Sequence, residues 1–253
     1  YNQSQSSSIS FSMRKMAKEN IIVVCTIVLC FMLTLALCMT FSGEGFLGVF
    51  YSNKQEAETI YAVTCGGYGD VTLARASADM IKSKGGAGYV LKGDEIEIIY
   101  ALYRSQDDAE KVVSSLGEAG LYVKKIEIGK GSFKWCKNEM KECVSDALKY
   151  FDIAFESLYK TANDLNGESI TVEDSKTQIR VLYSQIDDIK SKFYQDSENC
   201  DKEQITEIKL ALVTTLALLD NVDFSKNRAL VTSSLRYQLV QLTYCRKALM
   251  SNI

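Results

Sequence analysis

One short unit is written twice between Ile60 and Ile128, 35 positions apart, and this repeat narrows the architectures open to the chain. Tyr61 pairs with Ile96, Val63 with Ile98, Tyr68 with Tyr103, Ala74 with Ala109, Ala78 with Val113, Ile81 with Leu116 and Gly85 with Gly120. Two copies are too few for a solenoid, whose continuous core needs three or more repeats. A closed pair is expected instead. Each copy opens on an alternating run, Tyr61–Cys65 and Ile96–Tyr100, with apolar residues at every second position as a half-buried strand requires. A helical period follows, carrying Ala74, Ala78 and Ile81 in one copy and Ala109, Val112, Val113 and Leu116 in the other. Gly85 and Gly120 stand where a helix end calls for a left-handed residue. Further apolar runs, Ala87–Leu91 and Leu121–Ile128, complete a β-α-β-β-α-β order. The spacing predicts a four-stranded antiparallel sheet with both helices on one face and the other face uncovered.

The paired stretches Tyr-Ala-Val-Thr-Cys-Gly-Gly-Tyr … Ile-Lys-Ser-Lys-Gly and Ile-Glu-Ile-Ile-Tyr-Ala-Leu-Tyr … Leu-Gly-Glu-Ala-Gly resemble the SPOR (sporulation-related repeat) domain over roughly Thr59–Gly129. The resemblance implies a ferredoxin-like fold. It also implies binding of bacterial peptidoglycan through the uncovered face, favouring glycan strands stripped of their stem peptides at division sites. Strand alternation puts Ala62, Thr64 and Gly66 on that face from the first strand, and Glu95, Glu97, Ile99 and Ala101 from the third. With Tyr68 at the strand end, the candidate glycan site is Ala62, Thr64, Gly66, Tyr68, Glu97, Ile99 and Ala101. Family members commonly carry Arg or an aromatic where Glu95, Glu97 and Ile99 stand, and a glycine at Ala101. Tyr89 and Tyr122 are further candidates for stacking on a sugar ring.

Ahead of the repeat, residues 1–20 read as a disordered, cytoplasmic tail rich in Ser, Gln and Asn. Ile21–Phe41 is a run of 21 uncharged residues. At ~1.5 Å per residue it is long enough to cross a ~30 Å hydrocarbon core. Arg14, Lys15 and Lys18 before it predict a cytoplasmic N-terminus and a single-pass protein of a bacterial cell membrane, with the remainder outside. Residues 42–59 form a linker.

From Ser132 the pattern turns wholly helical. Met140, Cys143, Ala147, Phe151, Ala154, Leu158 and Ala162 step by three and four, and Gly167 closes that helix. Thr171 and Asp174 form a capping box for a second helix, through Ile179, Leu182, Ile186, Ile189 and Phe193. Asp201 is expected to cap a third helix, and Asp223 or Ser225 to start a fourth. The short connections predict an antiparallel four-helix bundle over residues 132–253. The fold class is then α+β plus all-α: a transmembrane helix, a ferredoxin-like domain over 60–129 and a bundle.

Composition excludes several chemistries. The chain has no histidine, which removes the commonest general base and most zinc sites. Net charge is -3, without a basic stripe to neutralise phosphates, so nucleic acid is not an expected partner. Cys65, Cys136, Cys143, Cys200 and Cys245 follow no metal-knuckle spacing, and Cys200 is the best placed to bridge, with Cys136 or Cys245. No enzyme, metal or cofactor is expected. Two readings stay open. One is a membrane-anchored envelope protein that binds peptidoglycan and holds a protein partner through its bundle, in cell division or sporulation. The other is a non-catalytic scaffold or dimerisation protein whose SPOR-like domain no longer binds glycan.

Overall fold

The computed structural model describes residues 57–117 and 120–253. The apolar segment 21–41, expected to span a membrane, lies outside these residues, as do the tail and most of the linker. Among the described residues no helix is long and apolar enough to cross a membrane. The expectation of an open-faced domain beside a separate bundle is corrected. Residues 57–253 belong to one compact unit of mixed α+β structure, in which the sheet and the following helices share a core.

The elements are β1 (Glu58–Tyr68), α1 (Val71–Ser83), β2 (Tyr89–Lys92), β3 (Ile96–Tyr103), α2 (Gln106–Leu116) and β4 (Leu121–Ile128). A 3-10 turn at Phe133–Trp135 leads into α3 (Asn138–Leu148), α4 (Tyr150–Asn166), α5 (Val172–Asp196), α6 (Glu203–Asp220) and α7 (Arg228–Asn252). The strands run antiparallel in the order β2-β3-β1-β4. Asp70 caps α1 through the Thr72 amide, at 3.0 Å, and Ser105 caps α2. The left-handed cap of α2 is Gly117, and Gly120, with φ 86°, turns the chain into β4.

The face expected to be uncovered is covered. Ala74, Ala78, Ile81 and Ala109 of α1 and α2 pack on one side, against Val63, Ile98, Tyr100 and Ala101. On the other side Ile60, Ala62, Ile99, Leu102, Ile126 and Ile128 merge with the apolar stripes of α4 to α7 into one continuous core. α7 packs directly on β3 and β4 and touches α1 at the sheet's edge. The physical reason is that these strands carry apolar residues on both faces. A free face would leave Ile60, Ile99, Leu102 and Ile126 in water at ~1.5–3 kcal/mol each.

The helical region also departs from four continuous helices. The stripe from Met140 to Ala162 breaks at Lys149, whose amide bonds back three residues to Asp146 O at 3.2 Å, a local tightening that separates α3 from α4. The Thr171–Asp174 capping box is present. Neither Asp201 nor Asp223 caps a helix: Lys202 begins α6 without a side-chain bond, and Asn227 caps α7 through Leu230 N at 3.0 Å. Asp223 instead bonds Ser225.

One side-chain clamp holds the sheet to the helices and a second ties helices to one another. Arg104, at the end of β3, meets Glu58 at 2.6 Å, Asp152 at 2.9 Å and Glu156 at 2.6 Å, with its guanidinium 4.6 Å from the centre of the Phe155 ring. Arg236 of α7 donates to Gly85 O at 3.0 Å and to Asn163 Oδ1 at 3.2 Å. Gly85 lies at φ 87°, and a side chain there would press on Asn166 and Thr232.

Candidate functional site

α7 stops short of one corner of the sheet, and the boundary can be read along each strand. On β4, Ile126 and Ile128 are buried while Tyr122 and Lys124, on the same face, reach solvent. On β1, Ile60, Ala62 and Thr64 are fully buried, and Gly66 lies beyond the cover. On β3, Ile99 is fully buried and Glu97 is 9% exposed, its carboxylate held by Tyr122 and Lys124. The corner therefore consists of Gly66, Tyr122 and Lys124 around the nearly buried Glu97.

Its geometry closes on itself. Tyr122 Oη donates to Glu97 Oε1, and Lys124 Nζ donates to Glu97 Oε2, so both carboxylate oxygens are engaged. The Tyr122 phenol passes over Gly66, where an added Cβ would sit 2.7 Å from its oxygen and 3.4 Å from Glu97 Cγ. Burial pushes the Glu97 carboxyl up, but the bonds from Lys124 and Tyr122 and the charge of Lys124 outweigh it and leave Glu97 below the usual glutamate value. The Tyr122 phenol is raised well above its usual value, by burial first and then by Glu97. Beside the corner, Tyr89 of β2 stacks on Tyr244 of α7 with centroids 5.9 Å apart and tilts against Tyr237 at 5.2 Å. Burial, Tyr89 and Glu97 lift Tyr244 to about 12.

The residues expected to bind glycan do not form one surface. Ala62, Thr64 and Ile99 lie under the helices, and the Thr64 hydroxyl donates to Ala62 O at 3.3 Å. Ala101 faces α1 and α2 because Tyr100 is an extra residue on β3. Val63 pairs with Ala101 and Thr64 with Ile99, a β-bulge that reverses the alternation. Tyr68 also packs on the α1 side, after a second irregularity at which Gly67 adopts φ 84°, and its hydroxyl lies 3.7 Å from Cys65 Sγ. Glu95 is exposed. Only Gly66 and Glu97 remain at the corner, joined by Tyr122 and by Lys124, which strand alternation in Leu121–Ile128 places beside it. Tyr89, a stacking candidate, has its ring against α7.

Elsewhere, a groove of ≈ 280 Å³ between α3, α4 and α5 has Ala147, Ile153, Ile189 and Phe193 on its walls and Asp146, Lys149 and Lys192 among its charged residues. Asp146 bonds Lys149 at 2.6 Å and Lys192 at 3.5 Å, and these contacts, with Lys149 foremost, hold its carboxyl below the usual range. Among the described residues no group of three or more metal-ligating side chains is placed to hold an ion. No family model, curated protein or solved structure matches the chain.

Proposed function

We propose that the chain is a non-catalytic scaffold protein in which a SPOR-like sheet serves as the packing platform for the helices that follow it, and does not bind glycan. The observation that carries this reading is the complete burial of Ala62, Thr64 and Ile99, at 0% exposure, beneath the helices. A glycan strand needs a flat accessible surface with aromatic faces and hydrogen-bonding edges. Here that surface is interior. The corner offers Glu97 with both oxygens taken, a poor start for acid–base chemistry.

The peptidoglycan reading keeps one supporting observation, the position of Tyr122 at 39% exposure with Lys124 beside it. The two readings separate in one experiment. Full-length protein is sedimented with peptidoglycan sacculi that retain their stem peptides or have been stripped by an amidase. The scaffold reading expects the protein in the supernatant with both. Retention on stripped glycan that Tyr122→Ala abolishes would transfer the conclusion to glycan binding at the corner.

A further inference from the structure

Helices occupy most of both faces of the sheet, so what remains open to a partner is an edge. Of the two edge strands, β2 is only 4 residues long, while β4 runs for 8 and pairs with β1 from end to end without a bulge. Among the described residues no backbone group bonds to the outer side of β4, whose ladder is shared with β1 alone. A regular strand with open N–H and C=O groups along one side is a template for a further strand. The α2 side of the sheet has room for one, because a groove of ≈ 410 Å³ lies between α2 and β4, with Val113, Val123 and Lys125 on its walls. On that side β4 presents Lys125 and Glu127, two positions apart and both exposed. Lys125 Nζ lies 6.0 Å from the centre of the Tyr61 ring, and neither Lys125 nor Glu127 forms an ion pair among the described residues.

We propose that β4 is a dimerisation edge: the β4 strands of two copies pair antiparallel about a two-fold axis and join two sheets into one continuous sheet. This deepens the scaffold reading, on which it rests, by making a second copy of the chain the partner. Charge selects the register. A two-fold axis perpendicular to the sheet keeps every residue on its own face, so it must set one residue of β4 opposite its own copy. An axis at Lys124 or Lys125 places two lysines directly opposite each other, which is destabilising. An axis at Val123 brings no opposite charges together. An axis at Ile126 sets Lys125 opposite Glu127 of the second copy and Glu127 opposite its Lys125, with Cβ atoms ~4.5–5.5 Å apart. The adjacent lysines thus act against the registers centred on them and leave this one.

The same two charges identify the occupant. Lys125 and Glu127 carry opposite signs in the order that a two-fold axis complements, whereas a strand of one sign would attract one of them and repel the other. The contact is small. In this register Lys124–Ile128 of the two strands lie opposite each other, well short of the ~1,600 Å² of a standard interface, so the dimer is expected to be reversible, with a Kd of about 10–100 µM.

The test is sedimentation equilibrium of the full-length chain between about 1 and 100 µM, where the particle mass should rise from one chain towards two. Lys125→Glu and Glu127→Lys each set like charges opposite each other and should raise Kd at least about tenfold. Mixed in equal amounts, the two variants should associate again, since each strand then carries a single sign, opposite to that of its partner. The doubly exchanged variant should dimerise like the wild type. Mixing would not rescue a variant that had merely lost its fold. A wild type that stays at one chain per particle would overturn the proposal and leave the edge to an extended segment of another protein. A dimer that both single reversals leave intact would overturn it by placing the contact on another surface. Neither result bears on the scaffold reading, which fails only if the protein sediments with stripped sacculi.

Discussion

Tyr122 of β4 reaches across Gly66 of β1 to bond Glu97 of β3, so an edge strand and an inner strand are joined over a residue that has no side chain. Gly66→Ala places a methyl group 2.7 Å from the phenol oxygen. Tyr122 is 39% exposed and is the part able to yield. The variant should lose about 1 kcal/mol and let the phenol titrate closer to its ordinary ~10. A spectrophotometric titration of Gly66→Ala, differenced against Tyr122→Phe, reads this directly. An unchanged titration would show that the bond survives.

Glu97 also sets a pH dependence. Its carboxyl is lowered in the folded chain, so its contribution is complete above the unfolded glutamate value and fades as pH falls through the lower folded one. Glu97→Gln should therefore flatten the acid limb of melting temperature against pH between roughly 5 and 3. Glu58 acts in the opposite direction, because burial raises it more than Arg104 lowers it. Glu58→Gln should not reproduce the flattening.

Ile99 distinguishes a covered sheet from a bare one. At 0% exposure beneath the helices, Ile99→Ala should cost about 3 kcal/mol in urea unfolding, with the slope unchanged. A loss below about 1 kcal/mol is the result a solvent-facing position would give.

Much of this fold is visible in local sequence, because alternation in Tyr61–Cys65, the capping pair Thr171–Asp174 and the glycine at 85 are each dictated by neighbouring residues. The covering of the sheet is not visible that way. Which stripe of α7 meets Ile99 depends on pairings between distant segments, and the bulge at Tyr100 moves Ala101 to the other face while leaving no mark on the apolar pattern. One clue was available. Ile98, Ile99, Ala101 and Leu102 are apolar without alternation, the mark of a strand buried on both sides.

Arg104 joins β3 to three carboxylates and lies over Phe155. Lysine keeps the charge but not the planar fork. Arg104→Lys should lower stability by about 1–2 kcal/mol, and the difference from wild type should shrink at 1 M salt, where charge interactions are screened within ~3 Å. A difference indifferent to salt would assign the contribution to packing on Phe155 alone.

At Gly85 the left-handed backbone and the acceptor for Arg236 coincide. Gly85→Ala should cost about 1–2 kcal/mol through strain at φ 87°. If that strain also displaces the carbonyl, Arg236→Ala should add less in this background than in the wild type, which a double-mutant cycle measures.

The covering helix has a consequence for how the protein is made. The sheet is complete when Ile128 has been synthesised, yet its cover, α7, begins 100 residues later, at Arg228. At ~5–20 residues per second the ribosome needs on the order of 5–20 s to bridge that interval. Throughout it the strands carrying Ile60, Ile99, Leu102 and Ile126 have an unprotected apolar face, so the nascent chain is most exposed to chaperones, and most prone to aggregate, while its final helix is still untranslated.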